Sequence, residues 1–415
     1  MFYLNLLCLL IISFGIINSS PVPRDDQCRV SINNKEEFTE PQVLILQTNL
    51  NQKHPFKYPT TKQGDIYFKK GEKVLLSCPG PDKIKKFTVP GWQNRTEQIV
   101  SCIGNNQFEA ESKKYDFSTF ACAKYPYHNA KITGKKCAGD KTDVIIGFRV
   151  QNKQIPHISV CHDDLNMATL YTFFNLTPAI KGYQRSFPRP SFTEAQFYNR
   201  TTIKLDTLYA KKTQQETVGR LLGDPELGKF YIKTSGDFYL ARGHLTAKAD
   251  FIFGAQQRST FYYINTAPQW QIFNAGNWND LEYSTRKFSG DRNVELEVYS
   301  GTYDTCQLPD KNGKSTSIYL LLDDNNRPAI PVPKYFWKVL YNPITKEGTA
   351  FIGVNNPYFF DNTTDVFCTD VCDQISWVSW NRKNVTLGYG FCCDVNEFRK
   401  TVKYLPEFNV NKLLV

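Results

Sequence analysis

Apolar and β-branched residues fall in short blocks cut by Gly, Pro, Asn and Asp, a pattern of many strands and few helices. VLILQTNL, KVLLSC and QIVSC, all before residue 145, read as strands. The character changes near Val144, where TDVIIGFRV, PHISVC and LYTFFNL predict further strands. The stretch from Glu194 to Tyr209 fits neither period. Thr213 to Leu222 predicts a helix stopped by Gly223. FYLARGHL predicts a strand running into a loop, and STFYYINTAPQ a second strand ending at Pro268. NAGNWNDLEYSTRKF then has helical spacing, with Trp278, Leu281 and Phe288 on one buried side. VELEVYSGTYD and STSIYLLLDD predict two more strands, joined by a loop holding Cys306. There is no internal repeat and no low-complexity stretch.

A chain of 415 residues suggests two domains. The change of pattern puts the boundary near GKKCAGDKTD. Residues 21–145 then form a small β-rich unit stapled by cysteines, and residues 146–415 a larger α+β unit. The first residues, MFYLNLLCLLIISFGIINSS, have the length and apolarity of a cleaved secretory leader, residues 1–20, cut near Ser19 or Ser20. The competing membrane anchor is disfavoured because Phe2 to Ile17 is short for a span of about 20 residues. No later run is apolar enough to cross a bilayer, so no stable membrane association is expected.

Cysteines and sequons fit export. Of 12 cysteines, Cys8 goes with the leader, and the odd remainder predicts disulfides plus one unpaired thiol. Asn94, Asn175, Asn199, Asn362 and Asn384 stand in Asn-x-Ser/Thr sequons. The net charge of +10 is concentrated. Residues 51–150 hold 18 Lys and Arg against 9 Asp and Glu. That surplus suits a polyanion partner, and a solvated basic surface would explain it equally well.

Of five histidines, His54, His128, His157 and His162 sit in ordinary contexts. His244 follows Arg242 and Gly243 at the end of an apolar strand. A glycine there lets the backbone turn. An arginine two residues before a histidine offers a phosphate clamp beside a general base. Asn265 to Gln269 is a turn, Asn274 stands where a helix should open, and Glu282 and Arg286 share a helix face. Plain structural roles exist for each: an N-cap for Asn274, an i,i+4 ion pair for Glu282 and Arg286.

Ala241-Arg242-Gly243-His244, the Asn-x-x-Pro-Gln turn at Asn265–Gln269, then Asn274, Glu282 and Arg286 at matching spacing resemble the DNA/RNA non-specific endonuclease family. The specific part runs from Leu240 to Phe288, with weaker likeness from Val144 to Leu387. ARGHLTAKADF, INTAPQWQIFNAGNW and Ile330–Lys338 resemble the secreted double-stranded ribonucleases of insects. The resemblance implies a ββα-metal nuclease fold with a central, mainly antiparallel sheet flanked by helices. It implies a Mg²⁺ ion, with Mn²⁺ as a substitute, held by Asn274. Glu282 would accept hydrogen bonds from the ion's waters, His244 would act as base, and Arg242 and Arg286 would hold phosphate. Asn265 would prop the site. The partners implied are DNA and RNA, duplex RNA among them, in a digestive or defensive setting.

Two positions depart from the family pattern. Ala241 replaces the signature's acidic residue. An upstream phosphate-holding arginine is missing from LYTFFNL, so Tyr171, Asn175 or a residue elsewhere must substitute. Three rivals were weighed. One is a secreted nucleic-acid-binding protein of this fold without catalysis, and a second is a phosphodiesterase for small nucleotides. The third is a zinc site on Cys368, Cys372, Cys392 and Cys393, whose spacing suits disulfides better. Asp163-Asp164 suggests hydrolase chemistry, or simply a turn.

Overall fold

The computed structural model describes residues 26–81, 86–198, 200–323, 325–361 and 364–415. The leader, its cut site and the sequons at Asn199 and Asn362 lie outside the described residues.

In the N-terminal part, Gln27–Ser31 pairs with Asp65–Lys69. A five-stranded antiparallel sheet follows in the order Leu44–Gln47, Lys73–Ser77, Glu97–Gly104, Gln107–Ala110, Lys113–Asp116. VLILQTNL, KVLLSC and QIVSC are three of these strands. The hairpin at Asn105-Asn106 places both residues at positive φ, 52° and 58°, as a two-residue turn between twisted strands requires. Phe68, Phe108, Phe117 and Phe120 stack edge to face inside. Disulfides Cys28–Cys102 and Cys78–Cys122 tie this part together. Cys137 pairs instead with Cys161, across the main sheet.

The main sheet has eight antiparallel strands. Their order is Gly390–Cys393, Glu347–Val354, Pro333–Asn342, Leu296–Thr305, Ala168–Leu176, Lys153–Asp163, Lys141–Val150, His128–Cys137. The last two strands straddle position 145. TDVIIGFRV, PHISVC, LYTFFNL and VELEVYSGTYD all lie in it. STSIYLLLDD does not: it supplies Tyr319–Leu322 to a small separate ribbon with Pro328–Pro331.

Strand Pro333–Asn342 shows how the layers form. Successive side chains alternate faces. Phe336 and Leu340 join the core beneath the long helix Asn277–Arg292. Tyr335, Trp337, Val339 and Tyr341 join a second core under the C-terminal helix Val395–Thr401. Lys338 keeps the register of Phe336 and Leu340, so a lysine is buried on the helix side, 1% exposed. Trp278, Leu281 and Phe288 are buried on the helix's inner face, as its spacing predicts. The predicted helix before Gly223 spans Lys211–Leu222, with Gly223 left-handed at φ 74°.

The four candidate zinc cysteines form disulfides Cys368–Cys393 and Cys372–Cys392 instead. Cys306 is the free, buried thiol that the odd count requires. Among the described residues no helix is long and apolar enough to cross a membrane.

Burial pushes four of the five histidines below their ordinary value. His128 falls to about 4, His157 and His244 to about 3, and His162 also moves down. As pH drops below 6.5, the unfolded chain takes up protons that the folded chain refuses, so stability is lost on acidification. The loss is on the order of 1 kcal/mol per histidine per pH unit, offset in part by the raised carboxyls of Glu282 and Glu297. Thermal melts from pH 7.5 to 4.5 should show a steadily falling midpoint, and a flat profile would contradict this balance.

Candidate active site

Leu240–His244 and Thr266–Trp270 form an antiparallel two-stranded ribbon, with Arg242 opposite Pro268 and His244 opposite Thr266. The ribbon feeds a short helix, Gln271–Ala275, and then the long helix Asn277–Arg292. The second strand is shorter than STFYYINTAPQ suggests and runs through Pro268 rather than ending there. Residues before it curl into a 3-10 turn, Tyr263–Asn265, because Asn265 satisfies backbone groups there. Its amide donates to Thr246 O and Thr260 O, both at 2.9 Å, and its carbonyl oxygen accepts from Thr246 N at 3.0 Å. Asn265 is fully buried and does not line the cleft. It fixes the chain just after His244.

Gly243 does not turn the backbone. It lies within the strand, and a Cβ there would meet the Gln269 side chain at 2.3–2.5 Å. The glycine is needed so that Gln269 can fold across the ribbon. Asn274 does not open the long helix either. It sits in the short helix ahead of it, and Gly276 breaks the two apart because a Cβ would lie 2.7 Å from Ile272 O.

Arg242, His244, Asn274, Glu282 and Arg286 line one cleft of about 670 Å³. The His244 ring packs between Phe192 and Phe261, with centroids 5.2 and 5.1 Å away. Its Nε2 is buried and has no hydrogen-bond partner among the described residues. Burial pushes this histidine down to about 3, and the charges of Arg189 and Lys248 push the same way, so it is neutral at neutral pH. The other four histidines lie outside the cleft. His54 pairs with Glu295, His128 contacts Tyr262, His157 contacts Ser259 and His162 contacts Thr169. Asp163 accepts from the amides of Leu165 and Asn166, which is the turn reading of Asp163-Asp164.

Arg242 is held firmly. Its guanidinium bonds Asp206 and the Tyr263 hydroxyl and lies 4.8 Å from the Tyr209 ring centroid. Arg286 bonds Asp250 at 3.0 Å rather than Glu282, so the expected i,i+4 pair does not form. Glu282 has no direct ion pair among the described residues. Burial, then the neighbouring Asp250 charge, raise its carboxyl well above the usual range, while Lys338, Arg286 and Arg189 draw it back. Asn274 donates its amide to Gln271 Oε1 at 3.2 Å, which leaves its carbonyl oxygen available.

The upstream arginine missing from LYTFFNL has a counterpart. Arg189 lines the cleft and acts electrostatically on His244, Lys248 and Glu282. Tyr171 packs in the core on the far side with Trp337, and Asn175 is exposed on its strand; neither lines the cleft. Arg189 had a sequence signal. It stands between Pro188 and Pro190, and a residue before proline is held extended. Lys248, Asp250 and Lys338 were also not foreseen.

The cleft combines a neutral base, three guanidinium groups and a lysine with oxygen donors from Asn274 and Glu282. Hard oxygen ligands with few protein contacts suit Mg²⁺. Positive groups around a free base suit attack on a phosphodiester.

A family model described as DNA/RNA non-specific endonuclease matches residues 141–398. A salivary endonuclease of Lutzomyia longipalpis is 29% identical over 350 residues, covering 83% of this chain and 76% of that protein. Salivary protein Tsal2A of Glossina morsitans morsitans is 26% identical over 388 residues, 92% of each chain. A solved structure of an EndoG/EndoGI complex matches 62% of this chain and 87% of that one, at 16% identity and TM-score 0.34.

Proposed function

This chain belongs to the DNA/RNA non-specific endonuclease family, and from that premise we propose that it is an exported, metal-dependent nuclease that cuts DNA and RNA, duplex RNA included, with little base preference. The observation that carries the reading is the convergence of His244, Asn274, Glu282, Arg286 and Arg189 on one cleft. The salivary relatives and the leader-like residues 1–20 support export. Residues 21–145 are read as a basic accessory unit and 146–415 as the nuclease unit.

In this reading Arg189, Arg286 and Lys248 bind the phosphate, while Arg242, locked by Asp206 and Tyr263, presents a fixed charge at the cleft wall. The bound diester's negative charge offsets the field of Arg189 and Lys248, so the basicity of His244 rises when substrate arrives. His244 Nε2 then takes the proton from the attacking water. Asn274 would hold Mg²⁺, with Mn²⁺ as a substitute, and Glu282 would accept hydrogen bonds from the ion's waters. When bound, the ion supplies charge neutralisation on the phosphate oxygens. Contacts to phosphate carry no sequence information, which accounts for weak base preference.

The test is to incubate the purified, disulfide-intact protein with duplex RNA, single-stranded RNA and DNA, with and without EDTA. Cutting of all three that EDTA abolishes is expected. Cutting indifferent to EDTA refutes the metal, and binding without cutting favours a non-catalytic nucleic-acid binder. Asn274→Ala should raise the metal concentration needed for half-maximal activity by roughly 10-fold or more, as loss of a ligand group does. An unchanged metal titration removes Asn274 from the ligand set.

A further inference from the structure

We infer that a second, basic groove beside the cleft binds the nucleic-acid backbone some nucleotides away from the cut bond. The N-terminal unit forms one of its walls. This deepens the nuclease reading and rests on it.

The groove has a volume of about 480 Å³ and is continuous with the cleft, since Tyr183 and Arg286 line both. Two elements separate the spaces. Along the long helix, Asn279, Glu282 and Arg286 face the cleft, while Tyr283, Lys287 and Gly290 line the groove. Glu282 and Tyr283, and Arg286 and Lys287, are successive residues, each pair turned by about 100° on an α-helix, so the two sets occupy adjacent faces. In the chain before the ribbon, Gln184, Ser186 and Arg189 face the cleft, and Lys181 and Arg185 face the groove.

The charge in the groove is positive and partly uncommitted. Lys62 and Lys287 share Asp291, and Arg286 is bonded to Asp250. Lys181 and Arg185 have no carboxylate partner among the described residues. Tyr283 lines the same groove and is 60% exposed. An exposed ring amid backbone-binding charges is the combination that holds single-stranded nucleic acid by stacking.

Lys62 reaches the groove because the N-terminal unit is locked there. A Cβ on Gly182 would lie 2.3 Å from Thr61 O, and Gly64 has φ +90° with the Gly182 carbonyl 3.0 Å from where its Cβ would stand. Gln184 donates to Ile32 O at 2.8 Å, and Asn33 donates to Tyr183 O at 3.3 Å. The segment that lines both spaces is thus hydrogen-bonded to the N-terminal unit. Continuity with the phosphodiester site selects the occupant: a polyanion that leaves the cleft past Tyr183 and Arg286 crosses this surface.

The test compares the full-length protein with a Lys62→Gln, Lys181→Gln, Arg185→Gln triple variant. None of these residues lies in the cleft. For long DNA or duplex RNA, kcat/KM should fall roughly 10-fold and the slope of log affinity against log salt should shrink by about 2. For a small chromogenic phosphodiester, too short to leave the cleft, rates should not change. Loss on both substrates alike, or on neither, overturns the groove. Anisotropy of a labelled single strand of about 20 nucleotides in EDTA reads the groove without catalysis. Weaker binding by the triple variant supports the groove even if the wild type proves inactive, and unchanged binding refutes it. Tyr283→Ala should weaken this single strand about fivefold or more, and an unchanged affinity removes the ring from the site.

Discussion

Replacing His244 with alanine should lower the single-turnover cutting rate by about 10²–10⁴-fold, the usual contribution of a positioned general base. Substrate binding should survive. Arg189, Arg242, Lys248 and Arg286 all remain in the cleft, and none depends on the imidazole for its position. Anisotropy in EDTA should therefore give dissociation constants within about twofold of wild type, because removing a neutral ring changes no charge. His244 is neutral at pH 7 because burial and two nearby cations oppose the imidazolium, so the base form is fully present before substrate arrives. The ring also fills the space between Phe192 and Phe261. A His244→Gln variant keeps part of that volume without the base, and should be as slow as the alanine variant while melting closer to wild type. Cutting by either variant within about 10-fold of wild type would remove His244 from the base role.

The site was legible where function constrains neighbours in sequence. Arg242 to His244 is one short strand, and Asn274, Glu282 and Arg286 lie within one helical region, so their spacing carries the geometry. The strands of TDVIIGFRV, PHISVC, LYTFFNL and VELEVYSGTYD, half of the eight-stranded sheet, were legible for the same reason, since each shows its period in its own residues; Pro333–Asn342, Glu347–Val354, Gly390–Cys393 and His128–Cys137 were not read. What could not be read joins distant segments. Arg189 enters the cleft from an irregular loop that has no periodicity, and Lys338 comes from a strand that is nearly all buried, whose own residues do not say which buried lysine faces the site. Asp250 carries no signal of its own in sequence, and only the fold sets it against Arg286. Arg242 reads as a free phosphate clamp in sequence, but Asp206, from the short helix Leu205–Leu208, and Tyr263, from the 3-10 turn, hold it. The basic surplus of residues 51–150 pointed to a polyanion without saying where, and docking of the loop around Lys62 supplies a place.

Lys338→Met should cost roughly 1–2 kcal/mol of stability at pH 8, because Glu282, already raised to about 7, relieves the lost counter-charge by holding a proton, at about 1.4 kcal/mol per pH unit. The lysine is buried under the long helix. Its Nζ donates to Ser300 Oγ at 3.2 Å and Leu245 O at 3.5 Å and lies 5.5 Å from the Trp278 ring centroid. Burial pushes this amine down, and the charges of Asp250 and Glu282 hold it up. Glu282 mirrors it: burial raises the carboxyl, and Lys338 restrains the rise. With Arg286 on Asp250, two cations and two carboxylates make a neutral buried set. Methionine keeps the length and deletes one cation, so the set becomes negative whenever Glu282 is ionised. The sign of the pH dependence follows. Glu282 is already raised to about 7 in the folded wild type, and losing Lys338 moves it further up, so below about 7 the carboxyl is protonated in both proteins and adds no difference between them. The penalty relative to wild type grows as pH rises above about 7 and levels off once pH passes the variant's still higher value. Denaturant unfolding at pH 8 and pH 5 should therefore show a larger defect at pH 8. Adding Glu282→Gln to Lys338→Met removes the uncompensated charge and should restore much of the stability while leaving the protein unable to cut. A single variant as stable as wild type at pH 8, or a double variant no more stable than the single, would show that Lys338 does not balance Glu282.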